Sequence, residues 1–130
     1  MADGGWRKEK KALIIIGHGS KLKGFQRAME EVARKIRNEK KYFIVLCAYL
    51  EITPPSIPGA IGRAVERGAK EIFVLPYFLL MGHHVKTDIP QIVSEARRKY
   101  SARVRIRLCP YLGYDDRLAE IVKRRIQEAR

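Results

Sequence analysis

The chain has three histidines, and each of them follows an apolar run of residues. His18 lies in IIIGHGS, and the adjacent pair His83 and His84 lies in FLLMGHHVKTDIP. Neutral imidazole binds borderline divalent ions such as Co²⁺, Ni²⁺, Fe²⁺ and Zn²⁺, and it accepts a proton near pH 7. Two imidazoles are too few for a closed structural zinc site. The pattern indicates an open metal site or an acid–base site, and the alternative is that these are ordinary surface or core histidines.

The segment around His18 carries glycines but no established nucleotide motif. Its glycines permit a tight turn and a close approach of a ligand to the backbone. The spacing of a P-loop is missing, and so is the G-x-G-x-x-G pattern of a dinucleotide site. Ser20 is not framed as G-x-S-x-G, which argues against a nucleophile elbow. The histidine is therefore the group in this turn that could carry chemistry.

Apolar runs alternate with amphipathic segments along the chain. Short apolar runs predict four strands, at residues 12–17, 42–51, 71–80 and 103–110. Apolar residues at helical spacing predict helices over 24–38, from 56 to 67, from 88 to 100 and from 115 to the end of the chain. Pro76 lacks an N–H group, so the third strand is predicted to end or bend there.

Polar residues at the predicted helix starts are candidates for capping. Ser56 and Asp115 are expected to cap the second and fourth helices. Thr87 or Asp88 is expected to cap the third helix, which would place Pro90 in its first turn.

The order β-α-β-α-β-α-β-α predicts an α/β fold. We expect a single three-layer domain with a four-stranded parallel sheet and helices on both faces. Right-handed crossovers favour the flavodoxin-like strand order 2-1-3-4. Ligands of such sheets bind outside the carboxyl ends of the strands, where the order reverses. His18 follows strand 1, His83 and His84 follow strand 3 and Glu51 ends strand 2, so these side chains are expected on one rim.

The net charge is +13, from 27 Lys and Arg residues and 14 Asp and Glu residues. Such an excess attracts polyanions, and nucleic acid, an anionic membrane and a small polycarboxylate are all candidates. The basic residues are scattered over the predicted helices, which is typical of solvated helix faces. No interleaving of aromatic and basic residues, typical of single-strand binders, is present. The charge alone does not choose among these partners, and the missing interleaving argues against nucleic acid.

The 130 residues are enough for one compact domain. No apolar run approaches the roughly 20 residues of a membrane span, and the first residues lack the apolar centre of a signal peptide. We expect a cytoplasmic protein with a flexible lead at residues 1–10 and one domain at residues 11–130. Cys47 and Cys109 form no metal or disulfide pattern, and they are expected to be small buried hydrophobic residues.

Three segments together resemble a known family. The segments are LIIIGHGS, YLEITPPSIPGAI and VLPYFLLMGHHVKTDIP. In this order and spacing they are similar to segments of the short archaeal sirohydrochlorin cobaltochelatases, which belong to the class II tetrapyrrole chelatases. The resemblance covers residues 12–113, and G-x-H-[VT]-x-x-D-I-P is its most specific element. It implies a chelatase-like α/β domain and a lyase that inserts a divalent metal into sirohydrochlorin in cobalamin-type biosynthesis. Co²⁺ would be the substrate metal, with Ni²⁺ or Fe²⁺ as alternatives and no permanently bound cofactor.

The resemblance also implies roles for individual residues. His18 and His84 match metal-binding histidines, and His18 or Glu51 would accept the pyrrole protons. Glu51 matches a glutamate that contacts the tetrapyrrole. The remaining substrate-binding positions form one segment, composed of Leu79, Leu80, Met81, Gly82, His83 and His84.

His84 rather than His83 is the expected ligand of the adjacent pair. Neighbouring residues in an extended segment point to opposite sides, so both imidazoles are not expected to reach one ion. Val85 is expected to anchor the loop in the core while Asp88 caps the following helix. Lys21 and Lys86, which lie just beyond the histidine segments, are candidates to meet the carboxylates of the substrate.

Longer members of the family contain two such domains, so the resemblance implies a homodimer that supplies both halves of the cleft. The anionic tetrapyrrole matches the positive charge of the chain. Two alternatives remain at this point: a carrier that binds metal or tetrapyrrole without catalysing insertion, and a basic nucleic-acid-binding domain. Turnover with free metal would distinguish an enzyme from a carrier. A steep salt dependence of the affinity for DNA or RNA would identify a nucleic-acid-binding domain.

Overall fold

A computed structural model describes residues 10–130, which form alternating strands and helices. The expected flexible lead at residues 1–10 lies outside the described residues except for Lys10. The elements are β1 (Lys11–Gly17), α1 (Arg27–Asn38), β2 (Ile44–Tyr49), α2 (Ile57–Glu66), β3 (Glu71–Pro76), α3 (His83–Tyr100), β4 (Arg105–Leu108) and α4 (Asp116–Gln127). Within the described part of the chain, no helix is long and apolar enough to cross a membrane.

The four strands form one parallel sheet in the order β2-β1-β3-β4. This confirms the predicted fold class and strand order. Gly17 at the end of β1 pairs with Tyr49 of β2, and Ile16 pairs with Pro76 of β3. The carboxyl ends of three strands therefore lie side by side, with β1 in the middle.

Both faces of the central strand are buried, which explains its continuous apolar sequence. Ile14 and Ile16 belong to a large core on the side of α2 and α3. Leu13 and Ile15 belong to a smaller core beneath α1. Because successive strand residues alternate between faces, a run of apolar residues is needed to fill both cores.

Side-chain caps begin two of the helices as predicted. Ser56 accepts a hydrogen bond from the backbone N–H of Gly59 at 3.0 Å, at the start of α2. Asp115 accepts one from the backbone N–H of Arg117 at 2.9 Å, at the start of α4. Each cap satisfies an amide that has no partner within the helix.

The third helix begins at His83, so its predicted start at residue 88 is wrong. Its N-cap is Gly82, and Pro90 lies inside the helix rather than in its first turn. The missing N–H of Pro90 removes one helical hydrogen bond. That loss is offset by burial of an apolar stripe that runs along the whole helix, composed of Val85, Ile89, Val93 and Ala96.

The third strand is shorter than the predicted range, 71–80, because it ends at Pro76. This agrees with the expected effect of a proline, which has no N–H to continue the ladder. The chain from 77 to 82 forms the connection to α3. The segment expected to line the substrate is therefore a loop followed by the first turn of a helix.

Candidate functional site

The histidines that follow β1 and β3 lie on one cavity. His18 comes directly after β1, Glu51 follows β2 by two residues, and His84 lies in the first turn of α3. The cavity has a volume of about 310 Å³. Its lining consists of His18, Leu50, Glu51, His84, Asp88, Gln91, Ile92 and Glu95. The sheet thus brings together residues from three separate parts of the sequence.

A close contact between two loops fixes His18 next to Glu51. The backbone N–H of Glu51 donates to the carbonyl of His18 at 3.1 Å. Gly19, with φ of 103°, makes this contact possible, because a Cβ at that position would collide with the carbonyl oxygen of Glu51. The glycine of GHGS after the histidine is thus explained by loop packing.

The hydroxyl of Thr53 closes the same pair of loops. It accepts from the backbone N–H of Ser20 at 3.2 Å and donates to the carbonyl of Ser20 at 3.1 Å. The side chain of Ser20 bonds locally to the N–H of Leu22 at 2.9 Å. These bonds hold the turn that carries His18.

The imidazole of His18 and the carboxylate of Glu51 are neighbours at the surface. His18 Nε2 lies 4.0 Å from Glu51 Oε1, and just over half of each side chain is exposed. Neither group is enclosed by the protein, so both are accessible to a ligand that covers this rim. An imidazole nitrogen and a carboxylate oxygen are therefore open to the same ligand.

Asp88 pairs with His84 instead of capping a helix, so its predicted role is wrong. His84 Nε2 lies 2.9 Å from Asp88 Oδ2, one helical turn away. The two residues face the same side because residues i and i+4 lie above one another on a helix. The carboxylate orients the imidazole, as carboxylates that hydrogen-bond to metal-binding histidines commonly do.

The two adjacent histidines occupy a helix, which corrects the expectation of an extended segment. Neighbouring helical residues are about 100° apart rather than on opposite sides. His84 lines the cavity with His18, whereas His83 is not among the lining residues. The preceding Leu79 and Leu80 are exposed, and Val85 is buried in the core as expected.

Two histidines and three carboxylates of the described chain line the cavity, but they are not gathered into one preformed metal site. Within residues 10–130, no group of three or more His, Cys, Asp or Glu residues is arranged to hold a metal ion. An ion held between His18 and His84 would keep coordination positions for other ligands.

Nearly the whole chain matches one known protein family. The model of the CbiX family matches residues 12–129. The chain belongs to the CbiX family.

Relatives of this CbiX chain include curated sirohydrochlorin cobaltochelatases. One from Methanococcus aeolicus is 41% identical over 83 residues, which cover 64% of this chain and 58% of the relative. One from Sulfolobus acidocaldarius is 33% identical over 118 residues, and the match covers 90% of each protein. The chain therefore spans less than two thirds of the first relative and nearly all of the second.

A solved chelatase shares the architecture of this CbiX chain. The crystal structure of the sirohydrochlorin chelatase SirB from Bacillus subtilis subspecies spizizenii, in complex with cobalt, superposes with a TM-score of 0.82 at 28% identity. The match covers 92% of this chain and 50% of SirB. The four-stranded sheet and its helices are thus those of a chelatase domain.

Sequence reasoning did not identify Gln91, Ile92 and Glu95 as lining residues of the CbiX cavity. Positions 84, 88, 91 and 95 recur every three or four residues, which is the spacing of one helix face. This signal was present in the sequence, but the predicted helix start at residue 88 separated His84 from that face.

The cavity differs in charge from the rest of the CbiX chain. Its lining includes the carboxylates of Glu51, Asp88 and Glu95, and no Lys or Arg among the described residues lines it. The net charge of the whole chain is +13. The cavity therefore offers a local acidic surface that favours a cation.

Cys47 and Cys109 lie outside the cavity and are half-buried rather than fully buried. Burial is the main cause that raises the pKa of each thiol. Both side chains therefore remain protonated at neutral pH, since the thiolate is the disfavoured form.

Proposed function

We propose that this CbiX protein inserts a divalent metal ion, Co²⁺ in the first place, into sirohydrochlorin. The observation that carries the proposal is the placement of His18, after β1, and His84, in the first turn of α3, on one acidic cavity. The names of the relatives support the choice of reaction and substrate. Imidazole nitrogens suit Co²⁺, Ni²⁺ and Fe²⁺, so Ni²⁺ and Fe²⁺ are the alternative substrate metals.

In this proposal, His18 and His84 hold the metal ion before its transfer. Two imidazoles leave the ion open to the four pyrrole nitrogens of the incoming ring, and they bind it loosely enough to release it. Asp88 orients His84 through their contact at 2.9 Å. The side chains of Asp88 and Glu95 would draw the cation to the cavity by their charge.

Insertion replaces two pyrrole N–H protons with the metal ion, so the site also needs a proton acceptor. Glu51 is a proposed acceptor, and so is His18 once its nitrogen has released the metal ion, because the two side chains lie 4.0 Å apart on the exposed rim. Neutral imidazole and carboxylate both take up protons in this way. The two protons then leave to solvent, which reaches both side chains.

The loop before α3 would contact the tetrapyrrole. Leu79 and Leu80 are exposed and apolar, so they can pack against the face of the ring. Met81, Gly82 and His83 complete the proposed substrate-binding segment. Lys21 and Lys86 are the proposed partners of the peripheral carboxylates, whose approach the positive charge of the chain favours.

We further propose that residues 11–130 act as a chelatase domain within a homodimer. The residues that follow β4 carry a large apolar surface that the described chain does not cover, composed of Tyr111, Leu112, Tyr114, Ile121, Val122 and Ile126. Apolar patches of this kind commonly mark interfaces. The match of this chain to half of SirB supports a second copy as the occupant.

The test of the enzymatic proposal is an insertion assay. Sirohydrochlorin is mixed with Co²⁺, Ni²⁺ or Fe²⁺ in turn, and the absorbance change of the ring is followed with and without the protein. Faster insertion with protein, fastest with Co²⁺, is the expected result. Binding of metal or tetrapyrrole without any acceleration would instead identify a carrier and would contradict catalysis.

A further inference from the structure

A second concave surface lies along the outer edge of β2, between α1 and α2. It has a volume of about 660 Å³ and differs in lining from the histidine cavity. We refer to it as the β2 groove. Four guanidinium groups and two carboxylates lie along it, which leaves an excess of positive charge. They belong to Arg27, Arg34, Arg37 and Arg63 and to Glu30 and Glu31.

Two of these arginines are already engaged within the protein. Arg34 pairs with Glu31, and Arg37 donates to the carbonyl oxygen of Val45 at 2.8 Å. The side chains of Arg27 and Arg63 have no hydrogen bond or ion pair with any described residue. The β2 groove therefore presents two guanidinium groups that are available to a ligand.

A buried hydroxyl adds a second, independent feature to the β2 groove. Tyr49 lines the groove but is only 3% exposed. No nitrogen or oxygen atom of the described chain bonds to its hydroxyl, and the neighbouring polar group is the thiol of Cys47. Burial is the main cause that raises the pKa of Tyr49 to about 12, and the neighbouring Cys47 contributes less. The hydroxyl is therefore a neutral donor at physiological pH, and buried polar groups are nearly always hydrogen-bonded.

The walls of the β2 groove are partly apolar. They include Ala33 of α1, Val45 of β2 and the adjacent Pro54 and Pro55. Small-molecule sites commonly combine such walls with a few polar groups that fix the orientation of the ligand. Guanidinium groups match the planar geometry of carboxylate and phosphate oxygens. The chemistry of the groove thus selects a small organic anion.

We propose that the β2 groove binds a small organic anion that carries a carboxylate or phosphate group. Arg27 and Arg63 contact the anionic oxygens, and the hydroxyl of Tyr49 donates a hydrogen bond to the ligand. The apolar walls hold the body of the molecule. This site does not depend on metal insertion, because His18, Glu51 and His84 lie outside it.

Another basic concavity provides a matched control for charge alone. It lies at the amino ends of β3 and β4 and is lined by Lys70, Arg97, Arg103 and Arg105 among others. It has no buried hydroxyl without a partner among the described residues. Attraction by charge alone would act there at least as strongly as in the β2 groove.

The experiment titrates citrate and pyrophosphate separately into metal-free protein at low salt, by calorimetry. The two probes distinguish a carboxylate ligand from a phosphate ligand. The variant with Arg27→Gln and Arg63→Gln is compared with the variant that has Arg103→Gln and Arg105→Gln, which loses the same charge. We expect one site whose affinity falls at least tenfold in the first variant and less than threefold in the second.

Tyr49→Phe tests the hydroxyl with minimal change in packing. We expect a weakening of several-fold in anion affinity, with unchanged circular dichroism. Equal weakening by the two double variants, or no binding of either probe at millimolar concentration, would overturn the proposal. A higher KM for sirohydrochlorin in the Arg27→Gln, Arg63→Gln variant would overturn it also, since the groove would then belong to the substrate site.

Discussion

The helices α3 and α4 have similar amphipathic sequences but very different environments. In α3, Val85, Ile89, Val93 and Ala96 are all buried. In α4, the described chain buries no residue, and Ile126 is 68% exposed. Each helix follows a strand of the same sheet, so the difference does not arise from their order in the chain.

This difference in burial shows how packing of a helix in the core positions the residues of a functional site. The apolar stripe of α3 packs into the core beside α2, and this packing fixes the face that carries His84 and Asp88. The apolar residues of α4 find no such core, while Phe73, Leu75 and Tyr77 on the α1 side of the sheet remain only partly buried. In the homodimer proposed above, α3 serves the site within one chain and the exposed face of α4 is the part that would contact a second copy.

The largest expected effect separates the two histidines at the start of α3. His84→Ala and His18→Ala should each reduce metal insertion by on the order of 100-fold or more, because loss of either imidazole leaves one protein nitrogen to hold the ion. His83→Ala should retain at least about a tenth of the activity, since His83 does not line the cavity. The measurement is the insertion rate, together with metal binding in the absence of tetrapyrrole. An inactive His83→Ala with an active His84→Ala would reverse the assignment.

The next largest effect is on stability, and it differs between the buried face of α3 and the exposed face of α4. Ile89 is 1% exposed, so Ile89→Ala should lower the free energy of unfolding by about 2–5 kcal/mol. Ile126→Ala is the matched change in α4, and at protein concentrations that favour the monomer it should cost less than about 0.5 kcal/mol. Urea unfolding of both variants checks this. If both variants lost a similar amount of unfolding free energy, α4 would be packed within its own chain.

A smaller effect should appear in self-association. Val122→Asp places a charge in the exposed apolar stripe of α4 and should weaken the dimer at least about tenfold. Glu120→Ala on the same helix is the control, because Glu120 is a charged residue outside that stripe. Sedimentation across a range of protein concentrations gives the dissociation constants. A dimer that resists Val122→Asp, or a wild-type protein that stays monomeric at micromolar concentration, would exclude this interface.

The smallest expected effect concerns the starts of the two helices. Asp115 caps α4, and its hydrogen bonds with the side chain and backbone of Arg117 hold the pKa of this carboxyl well below its usual range. The cap therefore contributes fully above the ordinary Asp pKa of about 4 and is lost only as the pH falls through the lower folded value.

Nuclear magnetic resonance should accordingly show the Arg117 amide unchanged between pH 7 and pH 5 and shifted only in stronger acid. In α3 the cap is Gly82, whose position offers no side chain to titrate. Asp115→Asn should abolish the acid transition of the Arg117 amide. A midpoint near 4 in the wild-type protein would show that the pairing with Arg117 is too weak to matter.

Much of this architecture is readable from residue order. The apolar runs predict all four strands, and short right-handed crossovers predict the order β2-β1-β3-β4. These rules also place His18, Glu51 and His84 on one edge of the sheet, where the structure has them. Such features depend on local patterns and on chirality, which act in every chain.

The start of α3 was not predictable from the same local rules. Asp88 followed by Pro90 has the appearance of a helix start, and this placed His84 in a loop. In the folded chain, burial of Val85 and Ile89 extends the helix past this signal. Tertiary packing outweighed the local preference, and it paired Asp88 with His84.

Periodicity, composition and the order of the elements are sufficient to establish the fold and the edge that carries the histidines. They do not establish which side of each helix is covered, because an apolar stripe looks the same whether it meets a core or solvent. That distinction depends on the surfaces available after folding: α3 meets the core beside α2, whereas α4 meets none in the described chain. The difference between a helix that supports the site and one that is free for a partner is therefore set by tertiary packing.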